Sequence, residues 1–180
     1  MNMTFNMEEK VLGKPTLESL FEDLNHPNPN INKKAYLKMI EHWPKESMAR
    51  LLGNLDHADI ALRRISVKAL GAFGTAILVP VTKIFYSTNS KVLKTSCLKV
   101  FVQVASDGYA SEFPDEAITI INQAFEDDTP EIILTVIPLL KLIGGMGYPL
   151  LLKACADKNI LRSSAAITAL VEINAPKVND

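Results

Sequence analysis

Histidine is the residue of this chain best suited to metal or acid–base chemistry, and its spacing decides whether either is expected. The three histidines are His26, His42 and His57. Zinc sites bring several His or Cys ligands together, commonly at i,i+4 or Cys-x-x-Cys spacing, and these histidines have neither. His42 falls at a helical position that is apolar elsewhere in the chain, which is typical of a packed histidine. With no Gly-rich phosphate loop or recognisable hydrolase motif, the sequence predicts no catalytic residue and no metal site.

Cys97 and Cys155 are the two cysteines, and the sequence places both inside apolar helical patterns. Such positions predict burial, and a buried thiol is usually inert. We therefore interpret both cysteines as packing residues rather than nucleophiles. Two cysteines form no disulfide framework, so their usage is typical of a protein from a reducing compartment.

The composition is that of a folded protein without a strong charge bias. Of 180 residues, 48% are apolar and 22% charged, and the net charge is −1. Nucleic-acid binders normally carry a basic stripe or a high pI, so the balance argues against that class. The N-terminus has acidic residues and no apolar signal core. Lys141 and several glycines interrupt the apolar stretch Ile132–Leu152, so we predict no membrane span and expect a cytoplasmic protein.

An internal repeat organises the chain. Five apolar anchor residues follow one another at spacings of 31, 31, 39 and 30 residues. Apolar or small residues stand three and four positions before each anchor, which marks one face of an α-helix. N-cap residue types stand eleven positions before each anchor, where the helix would begin. The anchors are Met39, Leu70, Phe101, Leu140 and Leu170, and the N-cap residues are Asn28, Asp59, Ser90, Thr129 and Asn159.

A second, shorter helix precedes each anchor helix, because apolar i,i+4 pairs such as Leu51/Leu55 and Val81/Phe85 recur in register. The predicted fold is all-α, a HEAT-like α-solenoid (an α-α superhelix) of about five helical hairpins. We expect one repeat domain over residues 16–175, a flexible segment over 1–15 and a tail over 176–180. The longer spacing predicts an inserted loop, Ser106–Pro114.

Two stretches carry a family resemblance: "DHADIALRRISVKALGAFG" (Asp56 to Gly74) and "HPNPNINKKAYLKMIEHWP" (His26 to Pro44). Both resemble the HEAT-like repeat of the phycobilisome lyases. "NILRSSAAITALVEI" (Asn159 to Ile173) resembles it more weakly. The opening "HPNPN…EHWP…LLGNLDH" is most similar to small cyanobacterial proteins related to the E/F and Y/Z-type bilin lyase subunits.

The resemblance implies a function in handling phycobiliproteins, as a bilin lyase subunit or a chaperone-like factor in bilin attachment and phycobilisome biogenesis. Since the chain is shorter than full lyase subunits, the resemblance favours an accessory role over catalysis by this chain alone. The implied partners are a phycobiliprotein subunit and a second HEAT-like lyase subunit or another copy of the chain. No permanent cofactor is implied, and a linear tetrapyrrole (bilin) would be bound transiently. The alternative is a general HEAT-repeat scaffold without a pigment role.

Polar residues on the shorter helices predict a binding groove. In the repeat register they point away from the core, and two lysines with two amides would suit the propionates of a bilin or an acidic partner helix. An ordinary solvated face is the alternative. The predicted groove residues are Lys83, Tyr86, Asn122, Gln123 and Lys153.

Two further features favour protein contacts. The helix Ile132–Ile143 is apolar almost all round, so another surface should cover it. The last helix carries Ile167, Leu170 and Val171 without a following helix, and solenoid ends need a polar cap or a partner. We predict a partner interface there; the alternative is that Pro176–Asp180 folds back.

Arg63 and Arg64 follow the segment Asp56–Asp59, and Lys94 takes the place of Arg63 one repeat later. Aspartate and arginine at such positions favour a structural ladder that joins neighbouring repeats. A binding site is the alternative interpretation of the same residues.

Overall fold

The structure, a computed structural model, describes residues 13–174, with the side chain of the last residue excepted. Over that range the chain is all-α, with ten α-helices and no strand. The fold class predicted from helical periodicity is therefore confirmed. The helices are α1 (Leu17–Leu24), α2 (Pro29–His42), α3 (Pro44–Gly53), α4 (Ile60–Gly71), α5 (Leu78–Ser87), α6 (Lys91–Val104), α7 (Asp115–Phe125), α8 (Pro130–Ile143), α9 (Tyr148–Cys155) and α10 (Ile160–Asn174).

The predicted N-cap residues stand directly before the even-numbered helices. The side chains of Asn28, Asp59, Ser90 and Asn159 each accept a hydrogen bond from an amide in the first turn. These bonds satisfy amides that have no partner within the helix. Thr129 makes no such bond.

A second hydrogen bond recurs at the same five helix starts and was not predicted. The side chain two residues before each N-cap residue accepts the backbone N–H of that residue, at 2.7 to 3.1 Å. Each bond closes a tight turn that aims the chain into its helix. The accepting residues are His26, His57, Thr88, Asp127 and Asp157.

The described part of the chain divides into two compact units, residues 13–50 and 51–174, with the boundary inside α3. In the N-terminal unit, α1 packs against α2. Arg50 on α3 pairs with Glu18 at 3.1 Å and lies over the Phe21 ring at 4.0 Å. The Trp43 indole donates a hydrogen bond to the Pro15 carbonyl at 2.9 Å, which ties the start of α1 to the end of α2.

In the C-terminal unit the helices form two rows. The long-helix row contains α4, α6, α8 and α10, each in contact with the next. The short-helix row contains α5, α7 and α9; α5 contacts α6 and α7, α7 contacts α8, and α9 contacts α8 and α10. This alternation is solenoid-like, while the assignment of HEAT-like repeats stays a prediction.

The anchor residues of the long-helix row form its core. Leu70 and Phe101 are fully buried, as is Leu140. Gly71 allows α4 to approach α6 closely, because a Cβ at this position would lie 2.4 Å from the Cβ of Gln103. A larger residue there would push α4 and α6 apart.

The inserted segment after α6 packs on the core. Residues 105–112 form short helical turns instead of an open loop, with Gly108 at a φ of 97° where the chain reverses. Phe113 then buries its ring edge-on against Phe101, with 5.6 Å between ring centroids. The insertion thereby adds an aromatic side chain to the centre of the C-terminal unit.

Most of the apolar surface of α8 is covered by its neighbours α6, α7, α9 and α10. Leu134 and Pro138 are exposed on the remaining face. A proline inside a helix removes one backbone hydrogen bond, and a solvent-facing position lets water satisfy the carbonyl that loses its partner. Among the residues described, no helix is long and apolar enough to cross a membrane.

Candidate functional site

The predicted groove residues lie on the short-helix row, and all five side chains are exposed. Tyr86 presents about half of its surface to solvent, with its ring edge-on to Phe85. Thr82, the residue before Lys83, is buried, and its hydroxyl makes no hydrogen bond within the described residues. Exposure makes the five side chains available for binding, while their assignment to a site stays a prediction.

Lys153 differs from the free cation that the sequence suggested. Its ammonium pairs with Glu126 at 2.8 Å and lies 5.2 Å from the centroid of the Phe125 ring. Glu126 therefore offsets much of the positive charge expected at this end of the groove. An exposed pair of this kind contributes about 0–1 kcal/mol to stability.

The last helix exposes an apolar stripe. Val171 is 63% exposed and Ile167 50%, and Ile160 extends the stripe toward the start of α10. Leu170 is only half-buried where the other anchors are fully buried. Leu170 thus turns partly inward, and Ile167 with Val171 forms the accessible part of the predicted interface.

A basic cavity of about 390 Å³ lies on the long-helix row and was missed from the sequence. Arg63 on α4 and Lys91 and Lys99 on α6 line it, together with Ser96 of α6 and Glu131 of α8. Lys91 and Lys99 are eight residues apart, so they share one face of α6. That spacing could be recognised in the sequence. Arg63 joins the two lysines only because α4 packs on α6, which the sequence does not show.

Hydrogen bonds and neighbouring charges act on the cationic residues around the cavity. The Arg63 Nη1 group donates to the carbonyls of His57 and Ala58, which fixes the guanidinium next to the turn before α4. Burial opposes ionisation of Asp127, yet hydrogen bonds from Thr129 and the nearby Lys91 and Lys94 lower the pKa of its carboxyl. The ionised Asp127 carboxylate in turn offsets part of the positive charge of Lys91 and Lys94.

The charged ladder predicted at Arg63 and Arg64 stays a prediction, because the Arg63 guanidinium donates its hydrogen bonds to the turn before its own helix. A charged link between neighbouring helical pairs is seen at Arg162 instead. Arg162 is buried and pairs with Asp128 and Asp157, both at 2.9 Å, and it also donates to the Asp127 carbonyl. It joins the start of α10 to the end of α7. Apolar residues hold the same register position in the other long helices: Ile31, Leu62, Leu93 and Ile132. Arg162 could not be recognised from the sequence, because the repeat pattern predicts an apolar residue at its position.

Both cysteines, His26 and His57 lie in surroundings typical of packing or hydrogen-bonding residues. Burial raises the pKa of Cys97 to about 12, against the weaker opposite effect of a backbone hydrogen bond, so its thiol stays protonated. Cys155 is only half-buried, against the prediction of a core position. His26 and His57 use Nδ1 as a hydrogen-bond acceptor at helix starts. Within residues 13–174, no group of His, Cys, Asp or Glu has the arrangement of a metal site.

Two comparisons relate the chain to known proteins. It is 30% identical to "Bilin biosynthesis protein CpeZ" of Synechococcus sp. (strain WH8020) over 151 residues, which cover 81% of this chain and 81% of the relative. It is 27% identical to "Uncharacterized phycocyanin operon protein Z" of Pseudanabaena tenuis (strain PCC 7409) over 139 residues, covering 77% of this chain and 69% of the relative. No family model matches the chain.

Proposed function

The chain belongs to the family of bilin biosynthesis protein CpeZ, and on that premise we propose that it is a phycobiliprotein-handling protein. It serves bilin attachment during phycobilisome biogenesis, as a lyase subunit or a chaperone-like factor. The observation that carries this proposal is the extent of the similarity, which spans most of both chains rather than one repeat. A match of that extent supports a shared role more strongly than a shared fold would. The role would place the protein in the cytoplasm.

We assign recognition of the phycobiliprotein subunit to the short-helix row. Lys83, Asn122 and Gln123 are exposed there and offer one cation and two amides. Tyr86 adds an exposed aromatic ring, a residue type enriched in protein interfaces. Lys153 contributes less than Lys83, because Glu126 already holds its ammonium.

The exposed stripe of α10 is the proposed contact for a second lyase subunit or another copy of the chain. Ile167 and Val171 are large apolar residues on one helix face, and their burial by a partner would be favourable. A contact at this end would leave the polar surface of the short-helix row accessible to a phycobiliprotein.

Capture of a phycobiliprotein subunit tests the proposed function. The tagged chain is co-expressed with α- and β-type phycobiliprotein subunits, with and without bilin synthesis, and the captured subunits are identified. We expect selective capture of a phycobiliprotein subunit over an unrelated helical protein. Equal capture of both would overturn the proposal and favour the general scaffold.

The variant Lys83→Glu tests the assigned surface separately. We expect about a tenfold loss of affinity for the captured subunit, near 1.4 kcal/mol, because a rim cation that favours acidic partners becomes repulsive. The matched control is Lys158→Glu, an exposed charge reversal outside the proposed surface. Equal affinities of the two variants would remove Lys83 from the interface while leaving the function in place.

A further inference from the structure

We infer that the basic cavity of the long-helix row binds the carboxylates of an open-chain tetrapyrrole. The inference rests on the proposed function and names a ligand site that is separate from the protein-binding surface on the short helices. None of the predicted groove residues lines this cavity.

The charge of the cavity selects anions. Arg63, Lys91 and Lys99 line it, whereas Glu131 is its one carboxylate among the lining residues. Cations grouped in a concave site concentrate anionic ligands and strengthen their binding, because the surrounding protein reduces solvent screening. A neutral or cationic ligand would gain nothing from this arrangement.

The spacing of the cations suits more than one carboxylate. Lys91 and Lys99 stand two turns apart on α6, about 12 Å along the helix axis, with Ser96 between them on the cavity wall. Arg63 reaches the cavity from α4, and its Nη1 hydrogen bonds hold the guanidinium in place before any ligand arrives. A positioned cation costs less entropy on binding than a mobile one. An open-chain tetrapyrrole carries two propionates, which these separated cations can bind individually.

Apolar surface adjoins the cavity and suits the ring system of the same ligand. Val92 on α6 lines the cavity and is nearly half exposed. Leu134 lies one turn after Glu131 on α8, and its side chain is 55% exposed. Leu134 also borders a smaller cavity of about 250 Å³ between α8 and α10, which is lined mainly by apolar atoms. A ligand with carboxylates at one edge and a conjugated apolar body would place its carboxylates in the basic cavity and its rings against the apolar surface beside it.

The size of the cavity favours a small molecule over a partner helix. Its volume of about 390 Å³ falls within the range of small-ligand sites, roughly 300–1,000 Å³. A partner helix that docks by its apolar face would need a continuous apolar groove, whereas Arg63, Lys91 and Lys99 line this cavity. We therefore assign the small ligand to this row.

Titration with biliverdin tests the inference on the full chain. Binding is followed by the change in absorbance, for the unmodified protein and for Lys91→Ala/Lys99→Ala. We expect the double variant to bind biliverdin at least tenfold more weakly. Biliverdin dimethyl ester, which lacks the free carboxylates, should bind the unmodified protein and the double variant equally weakly.

Two variants control the titration. Lys38→Ala/Lys158→Ala removes two exposed lysines that do not line the cavity and should keep the unmodified affinity. Lys91→Arg/Lys99→Arg keeps both charges and should bind biliverdin within about threefold of the unmodified protein. Circular dichroism of each variant establishes that the helices are retained.

Three outcomes would overturn the inference: no binding of biliverdin, equal binding of its dimethyl ester, or a double variant within twofold of the unmodified protein. A double variant that loses phycobiliprotein capture but keeps its biliverdin affinity would assign the cavity to a protein partner instead. Capture by the unmodified chain is measured separately, so the proposed function can stand when this inference fails.

Discussion

Helices α6 and α10 begin in the same way but end in different surroundings. Each is preceded by a side chain that caps its first turn, and each carries an apolar anchor at the same register position. Helix α6 packs against α4, α5 and α8, and Phe101 is fully buried. Helix α10 packs against α8 and α9, and Leu170 is only half-buried.

Local sequence signals determine whether a helix forms, whereas packing against neighbouring helices determines how far it is stabilised. Caps and periodicity are local and are present in both helices, so both form. The burial energy depends on neighbours on each side, and α10 has them on one side within the residues described. Helix α6 is thus a core element with a cavity at its surface, whereas α10 leaves an apolar stripe exposed.

The largest expected difference is between the two anchor residues. Phe101→Ala should cost about 3–5 kcal/mol, since it opens a cavity in a closed core and removes the contact with Phe113. Leu170→Ala should cost about 1–2 kcal/mol because part of the side chain already meets solvent. Chemical denaturation measures both values. Equal losses at the two sites would show that α10 is buried as completely as α6.

Substitutions of Arg162 test whether the stability of α10 depends on ion pairs at a position where α6 has apolar packing. Arg162→Ala should cost about 1–3 kcal/mol, because it removes a buried side chain that holds three hydrogen bonds to Asp127, Asp128 and Asp157. Arg162→Leu should recover at least half of that loss, since Leu93 occupies the equivalent position in α6. An Arg162→Leu protein as unstable as Arg162→Ala would show that the ion pairs themselves are required.

The same cluster predicts a pH dependence. Hydrogen bonds from the Asn159 amide, the largest cause, and from Arg162 lower the pKa of Asp157. A lowered carboxyl pKa stabilises the fold above the unfolded value of about 3.9 and loses that effect as pH falls through the folded value. Unmodified protein should therefore lose stability more steeply below about pH 4 than Arg162→Leu. Parallel acid titrations of the two proteins would contradict this.

The reaction rates of the two cysteine thiols compare the accessibility of the centre and of the end of the C-terminal unit. With a pKa of about 12 and no exposed surface, Cys97 should be alkylated in the native state at least about a hundredfold more slowly than the half-buried Cys155. Mass spectrometry after timed exposure to iodoacetamide gives both rates. Similar rates would mean that α6 opens readily in the native state.

The smallest expected effect on stability is at the exposed stripe. Val171→Lys should change the free energy of unfolding by no more than about 0.5 kcal/mol, because the side chain is 63% exposed. The same substitution should weaken self-association or capture of a lyase subunit by at least tenfold, as it buries a charge against apolar residues. Analytical ultracentrifugation and capture measure these effects. Unchanged association would remove Val171 from the interface.

The helices and their starts could be predicted because their signals are local. Asp59 and Asn159 precede their helices as N-caps, and Leu70 is buried as the periodicity requires. The recurrent bond that side chains such as Asp127 accept from a backbone N–H is equally local, but it was not predicted because the accepting residue types differ among the five turns.

The basic cavity could not be predicted in the same way. Lys91 and Lys99 show their shared face in the sequence, but Arg63 joins them only through the packing of α4 on α6. Ion pairing at Lys153 depends likewise on contact between α9 and the end of α7. Periodicity predicts which side of a helix is buried and gives no information on which charges meet on the exposed side.

The most direct test of the proposed function is the amount of bilin covalently attached to a phycobiliprotein subunit. Cells produce one subunit, its bilin and a candidate partner lyase subunit, with or without this chain, and the purified subunit is denatured before its bilin absorbance is measured. We predict that the chain raises the bilin content per subunit at least severalfold. The same bilin content and the same yield of soluble subunit in both strains would contradict a role in phycobiliprotein handling.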